Sequence, residues 1–474
     1  MLAVLHLFVP LLPCIVNDVF VLGSTDLKAD LIYVQAVWRH GDRAPHQLPY
    51  PNDRNNASTW PRGWSQLTNV GMKQLYELGR FFRKRYDGYI AEFNPAEVRI
   101  IASRSDRAIV SAQAMLRGFF PAKNTLMQWL KDEQWQPIPF HIETIERNKA
   151  LLHPTLHRCL RYDQLVENGA TTIDDAMMHR YANVVHFLAN ATGIGEALTF
   201  DRIAALIDIQ REIFHQFPQP AWVYRKWPQY QNRSTIDIII EFKRLIQISK
   251  YNTPEKARLK GGLLLSEILH RFQNVSEGIG AEASKMLLYS AHDATILALQ
   301  NALNVSNGLL VPYSACLIME LYRTEENETI VKILYKNETE NANAYELFVP
   351  GCSTPCTLDH LVRLCAATTL DTLDDLRKVI RLPVKIGKLR TKYHGPQIMA
   401  SACDEKEFPE HNHISNSVNN NTVSSNAIEH SMRVTFPILF GLVLIASPIE
   451  SRIPSIFDRG KIISRRSRSC TMLK

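Results

Sequence analysis

The chain has 474 residues, 46% of them hydrophobic and 21% charged, a balance that supports a buried core and excludes a disordered chain, a collagen-like repeat and a polytopic membrane protein. Its net charge of +7 is concentrated at one end: Ser451 to Lys474 holds seven basic residues against the single acidic Asp458, which leaves about +1 for everything else. The body is therefore not a basic nucleic-acid binder, and no nucleic acid is expected as a partner.

Met1 to Gly23 is an apolar run closed by small residues and reads as a secretory signal peptide. Export predicts glycosylation and oxidised cysteines. Sequons start at Asn56, Asn190, Asn232, Asn274, Asn304, Asn327, Asn337 and Asn420, and six cysteines lie between leader and tail: Cys159, Cys316, Cys352, Cys356, Cys365 and Cys403. Six cysteines allow fifteen pairings, among which sequence alone does not choose.

Leu31 to Trp38 (LIYVQAVW) is a nearly continuous apolar run, the pattern of a strand buried on both faces. Val98 to Ala102 and Met286 to Ala291 read the same way. From Gly71 to Tyr86, Met72, Leu75, Leu78 and Phe82 recur at helical spacing, with Thr68 or Asn69 as the cap. Strand-then-helix units predict an α/β fold: a doubly wound mixed, mainly parallel sheet flanked by helices. A mainly helical cap inserted over roughly residues 135–270 completes it. Cys316 to Tyr322 and Thr329 to Tyr335 read as a hairpin. Residues 404–432 are polar and read as a stalk. Val434 to Ile449 is apolar, and with the basic tail of residues 450–474 behind it suits a single-pass anchor, although it is shorter than the ~20 residues of a spanning helix. The predicted setting is the secretory pathway, with the domain lumenal, extracellular or secreted.

The first strand runs into Arg39-His40-Gly41-Asp42-Arg43-Ala44-Pro45, where open α/β sheets bind ligands. Arg39 and Arg43 bracket His40 with permanently charged forks suited to phosphate oxygens. Gly41 is expected to let the backbone approach an anion, and a neutral imidazole there can attack phosphorus in line. Beyond the strand Met286 to Ala291 stand His292 and Asp293, the latter suited both to starting a helix and to donating a proton. His153 and His157 stand at i, i+4 but lack a third ligand, so no metal is expected. No Walker A loop, GxSxG elbow or HExxH sequence is present.

RHGDRAP, the HisAsp pair at 292 and 293 and the segment GCSTPC at 351–356 resemble the histidine acid phosphatases, over about Leu31 to Cys403. The resemblance implies a histidine phosphatase domain over residues 24–403, with a phosphohistidine mechanism, phosphate monoesters as substrates, no cofactor and a homodimer. In it His40 is the nucleophile, Arg39, Arg43 and His292 bind phosphate, and Asp293 is the general acid, so activity is expected at acidic pH. It further implies Cys352 paired with Cys356 and Cys159 with Cys403; Cys316 with Cys365 is a guess, because the family's partner for Cys316 has no counterpart here. A third phosphate-binding arginine is expected at the end of the strand before an AspArg pair, here Asp106-Arg107. In direct register that position is Ile101, which makes Arg104, or else Arg99, the substitute. Two rivals stand beside this reading: an inositol-polyphosphate phosphatase, which would want a strongly cationic pocket and against which the apparent gap argues, and a non-catalytic cell-surface binding protein of the same fold, which the gap motivates.

Overall fold

The computed structural model describes residues 28–339 and 343–378. The signal peptide, stalk, apolar run 434–449, basic tail, Asn420 and Cys403 lie outside the described residues. In chain order the elements are β1 (Ala29–Arg39), α1 (Asn69–Arg85), β2 (Val98–Ala102), α2 (Asp106–Phe119), β3 (His141–Ile142) and α3 (Ile145–Leu151). A helical stretch follows: α4 (Leu160–Arg180), α5 (Ala182–Thr192), α6 (Phe200–Ala205), α7 (Asp208–Phe214), the ribbon β4 (Lys226–Trp227) and β5 (Arg233–Ser234), then α8 (Thr235–Ser249). Last come α9 (Pro254–Ser276), β6 (Met286–Ala291), α10 (Asp293–Ala302), β7 (Cys316–Thr324), β8 (Thr329–Lys336), β9 (Tyr345–Leu347), α11 (Leu358–Cys365) and α12 (Leu373–Lys378).

Seven strands form one sheet in the order β3-β2-β6-β1-β7-β8-β9. The first four run parallel, and β7, β8 and β9 add an antiparallel half. Because side chains alternate along a strand, β1 feeds two cores. Val34, Ala36 and Trp38 pack with Leu75, Leu78 and Phe82 of α1 and Met115 and Phe119 of α2. Tyr33 and Val37 pack on the other face with Leu265, Ile268 and Phe272 of α9 and Ile296 and Leu299 of α10. This is the doubly wound arrangement that the near-continuous apolar strands require.

The helical stretch has a core of its own, built from Tyr181, Val184, Leu188, Ile203, Ile239 and Phe242, with Tyr50 joining from the loop after β1. Helix α9 belongs instead to the sheet layers, since Leu264 to Phe272 pack against β1 and α10.

Cys352 and Cys356 form a disulfide. The Cys316–Cys365 guess is corrected: both are thiols. Cys316 sits in the core on the α1 and α2 face of the sheet, whereas Cys365 on α11 sits in the core on the opposite face. Among the described sequons, Asn56, Asn190, Asn232, Asn274, Asn304 and Asn327 are exposed and Asn337 is half-buried. No helix among the described residues is long and apolar enough to cross a membrane.

Candidate active site

Strands β1 and β6 pair in parallel with Arg39 opposite Ala291, and both chains leave the sheet at that level. One continues to α1 and the other to α10, on opposite faces, so a crevice opens between their carboxyl ends. The two exits are stitched together: His40 N donates to Ala291 O at 3.0 Å and Ser314 N to His40 O at 3.3 Å.

The loop after β1 is seated on the start of α1. Thr68 caps that helix by accepting from Gly71 N, and its hydroxyl donates to Asp42 Oδ2 at 2.6 Å. Asp42 N donates to Gln74 Oε1, and Asp42 Oδ2 also accepts from His215 Nε2 of the helical layer at 2.6 Å. Gly41 is glycine for a reason other than the one sequence suggested. A Cβ on Gly41 would collide with the backbone of Gly71, and one on Gly71 with the carbonyl of Asp42. The close approach is between loop and helix, which fixes the loop.

His40 is 3% exposed. Its Nδ1 lies 2.8 Å from the carbonyl oxygen of Gly41. A carbonyl only accepts, so Nδ1 carries the proton and Nε2 keeps its lone pair. Burial first, then the charges of Arg107, Arg39 and Arg43, hold the imidazole well below the usual histidine range. The ring therefore stays neutral in acid that would protonate an exposed histidine.

Around it stand three guanidiniums. Arg39 donates to Val311 O, lies 4.1 Å over the Tyr313 ring and has Nη2 3.6 Å from Asp293 Oδ2. Arg43 is 6% exposed and donates to Ala44 O. Arg107, in the first turn of α2, brings Nη2 to 3.4 Å from His292 Nδ1. The Nε atoms of Arg39 and Arg107 are buried without a hydrogen-bond partner among the described residues, so the site holds donors for which the protein supplies no acceptor.

Arg107, and neither Arg104 nor Arg99, is the further arginine that the structure places in the pocket. Ile101 is 4% exposed in the core beside α9 and α10 and leaves no gap in the site. Arg104 is exposed and bonds the carbonyl of Glu143, while Arg99 pairs with Glu282; neither lines the pocket. Counting from the strand end misplaced the charge, because the turn Ser103 to Ser105 swings the backbone so that the first turn of α2 faces the crevice.

His292 accepts from Arg107 at Nδ1 and donates from Nε2 to Ser103 Oγ at 2.9 Å, a self-consistent neutral tautomer. Burial, then His153, Arg107 and His40, lower its pKa well below the histidine range. His153 stacks on His292 with ring centroids 3.9 Å apart, its own pKa brought down to about 4 chiefly by burial. No cluster of three or more potential metal ligands occurs among the described residues.

Asp293 opens α10 and accepts from Ala294 N at 2.9 Å. Burial alone would raise its pKa, but chiefly the charges of Arg39 and Lys243 outweigh it and keep the carboxyl below its ordinary range. All five residues expected from sequence, Arg39, His40, Arg43, His292 and Asp293, line one pocket of about 1010 Å³. Sequence reading missed Arg107, Lys243 of α8, and Arg211 with Tyr313, whose hydroxyl accepts from Arg211 Nε at 2.6 Å. For Lys243 no distinctive signal existed: in the helical run Ile236 to Ile248 it is one polar residue among Asp237, Glu241, Arg244 and Gln247.

The sequence of residues 30–336 matches the model of the histidine phosphatase superfamily, branch 2. Human prostatic acid phosphatase is 34% identical over 351 residues, 73% of this chain and 87% of that protein. Human lysosomal acid phosphatase is 36% identical over 337 residues, 70% of this chain and 77% of that protein. Among solved structures, Hafnia alvei phytase in complex with myo-inositol hexakis sulphate superimposes with a TM-score of 0.55 at 18% identity, over 75% of this chain and 99% of that one. Sequence match, sheet order and a histidine among three arginines at the strand ends agree: the chain belongs to branch 2 of the histidine phosphatase superfamily, a family of enzymes.

Proposed function

We propose that the protein is an acid phosphatase that hydrolyses phosphate monoesters through a covalent phosphohistidine at His40. One observation carries the reading: a histidine whose Nδ1 is bonded to Gly41 O, and whose Nε2 is proton-free, is ringed by Arg39, Arg43 and Arg107. The three guanidiniums bind the phosphoryl oxygens and stabilise the charge that builds on them. Nε2 attacks phosphorus, a P–N bond forms as the P–O(ester) bond breaks, and Asp293 gives its proton to the departing oxygen. Water then attacks phosphorus, Asp293 takes a proton from it, the P–N bond breaks, and inorganic phosphate leaves with His40 restored.

The low pKa of Asp293 fits this scheme once the proton is counted over the whole complex. An ionised Asp293 with a monoanionic ester carries the same number of protons as a protonated Asp293 with a dianion. Bound phosphate neutralises Arg39, the charge that most depresses the carboxyl, so the proton brought by the ester can pass to Asp293. Activity is then confined to acidic pH, where the monoanion exists, while burial and the arginines keep His40 unprotonated there.

The relatives named prostatic and lysosomal acid phosphatase support the same substrate class. The test is hydrolysis of p-nitrophenyl phosphate between pH 4 and 8 by the purified secreted protein, beside His40→Ala. Acidic turnover lost in the variant is expected; no turnover by folded wild-type protein would refute the proposal.

A further inference from the structure

We propose that Lys243 recognises a second anionic group on the alcohol part of the substrate, so that the enzyme favours phosphate monoesters whose leaving group carries a carboxylate or a further phosphate near the ester oxygen. The inference rests on the phosphatase reading and names the substrate class within it.

The wall from which Lys243 comes is the first ground. Arg39, His40, Arg43, Arg107, His292 and Asp293 all project from the carboxyl ends of the sheet strands or the first turns after them. Lys243 belongs to α8 in the helical layer and lines the same pocket from that side. The phosphoryl group must lie on His40 among the arginines, so the alcohol extends past Asp293, which protonates it. Lys243 lines the same pocket as Asp293 and is close enough to act on its carboxylate.

A second ground is that the arginines lining the pocket are engaged by the protein, Arg107 with His292 among them, whereas the lysines Lys243 and Lys250 are not. Arg39 is held by Val311 O and faces Asp293, Arg43 is held by Ala44 O, and Arg211 pairs with Asp208 and Tyr313. Lys243, among the described residues, has no carboxylate within 4.0 Å and no side-chain hydrogen bond. Lys243 is half-buried in the pocket wall, which leaves its ammonium able to pair with an anion held in the pocket.

Protonation is the third. The groups acting on Lys243 are Asp293, which favours its charge, and Lys250, Arg211 and Arg39, which with burial oppose it and bring its pKa to about 8. At the acidic pH of the reaction it is fully cationic. A snorkelling lysine that merely reaches water is the plain alternative; it predicts no dependence of substrate preference on this side chain.

The test compares kcat/KM for 3-phosphoglycerate and glycerol 3-phosphate, which differ by a carboxylate in place of a hydroxymethyl, in wild type, Lys243→Met, Lys243→Arg and Lys250→Met. A charged contact of this kind gives roughly tenfold or more in favour of the carboxylate. That preference is expected to collapse toward one in Lys243→Met, and to survive in Lys243→Arg and largely in Lys250→Met. Equal rates on the two esters in wild type, or a preference that Lys243→Met leaves intact, would overturn the proposal. Equal losses in both Met variants would also overturn it, since the preference would then come from the general field of the pocket. If neither ester is hydrolysed, the phosphatase reading fails separately. Calorimetric binding of the two esters to His40→Ala, with Lys243 or with Met there, then still decides whether the lysine reads the carboxylate.

Discussion

Arg107 Nη2 lies 3.4 Å from His292 Nδ1 and thereby sets the tautomer of the second histidine in the site, whose Nε2 proton goes to Ser103. One guanidinium thus orders a neighbour while its Nε remains without an acceptor, open to an anion. Replacing Arg107 by Ala is predicted to lower kcat/KM for p-nitrophenyl phosphate by about ten- to a hundredfold, the worth of a charged hydrogen bond of roughly 1.5 to 3 kcal/mol. Arg104→Ala, at an exposed position outside the pocket, should stay within about twofold. Steady-state kinetics on the two variants checks the assignment.

The pH dependence has a definite sign. Asp293 is ionised in the empty site because Arg39 and Lys243 hold its pKa down, so the proton for the first step enters with the monoanionic ester. For an alkyl phosphate with a second pKa of about 6, kcat/KM is expected to fall about tenfold per pH unit above that value. An ester of lower second pKa should lose activity at correspondingly lower pH. Profiles for two esters would check this, and coincident profiles would contradict it. Removing the Lys243 charge should move the carboxyl pKa upward and shift the alkaline limb of kcat to higher pH.

The tie between Asp42 and His215 joins the catalytic loop to the helical layer. Asp42 is fully buried, and Oδ2 takes hydrogen bonds from Thr68 and His215. His215→Ala is predicted to cost about 1.5 to 3 kcal/mol, because it strips a buried carboxylate of one of its donors. A lower denaturation midpoint in urea, with the slope of the transition unchanged, is the expected result.

Gly71→Ala should be damaging even though alanine is the better helix former. Its Cβ would meet the carbonyl of Asp42 at the seat of the catalytic loop. Lower thermal stability together with a larger loss of kcat than of substrate binding is expected, measured by calorimetry and kinetics on one preparation.

Burial raises the thiol pKa of both Cys316 and Cys365, the latter to about 11. Neither should react with a thiol reagent in the native protein, and both should react once it is unfolded. Mass spectrometry before and after denaturation distinguishes this from a Cys316–Cys365 disulfide.

What was legible in the sequence follows the strength of the physical signal. Val98–Ala102 and Met286–Ala291 are strands over the same residues that the apolar runs marked, because strands buried on both faces admit few polar side chains; Arg99, half-buried, is an exception and reaches Glu282. Arg39, His40 and Arg43 were legible because they lie contiguously on a strand exit. Arg107 was not: its placement depends on how the chain turns between β2 and α2, which register counting does not see. Lys243 and His153 come from segments distant in sequence and reach the site only through tertiary packing. The Cys316–Cys365 guess failed because residue type says nothing about which face of a sheet a side chain occupies.

The central claim, a covalent phosphoryl group on His40, is tested most directly by mixing enzyme with p-nitrophenyl phosphate, quenching in base within milliseconds and identifying the modified peptide by mass spectrometry. One phosphoryl group on the peptide containing His40, absent in His40→Ala and accumulating in Asp293→Asn where that variant slows the second step, is the predicted result. Turnover by the wild type with the phosphoryl group on another residue, or with none trapped in either protein, would contradict it.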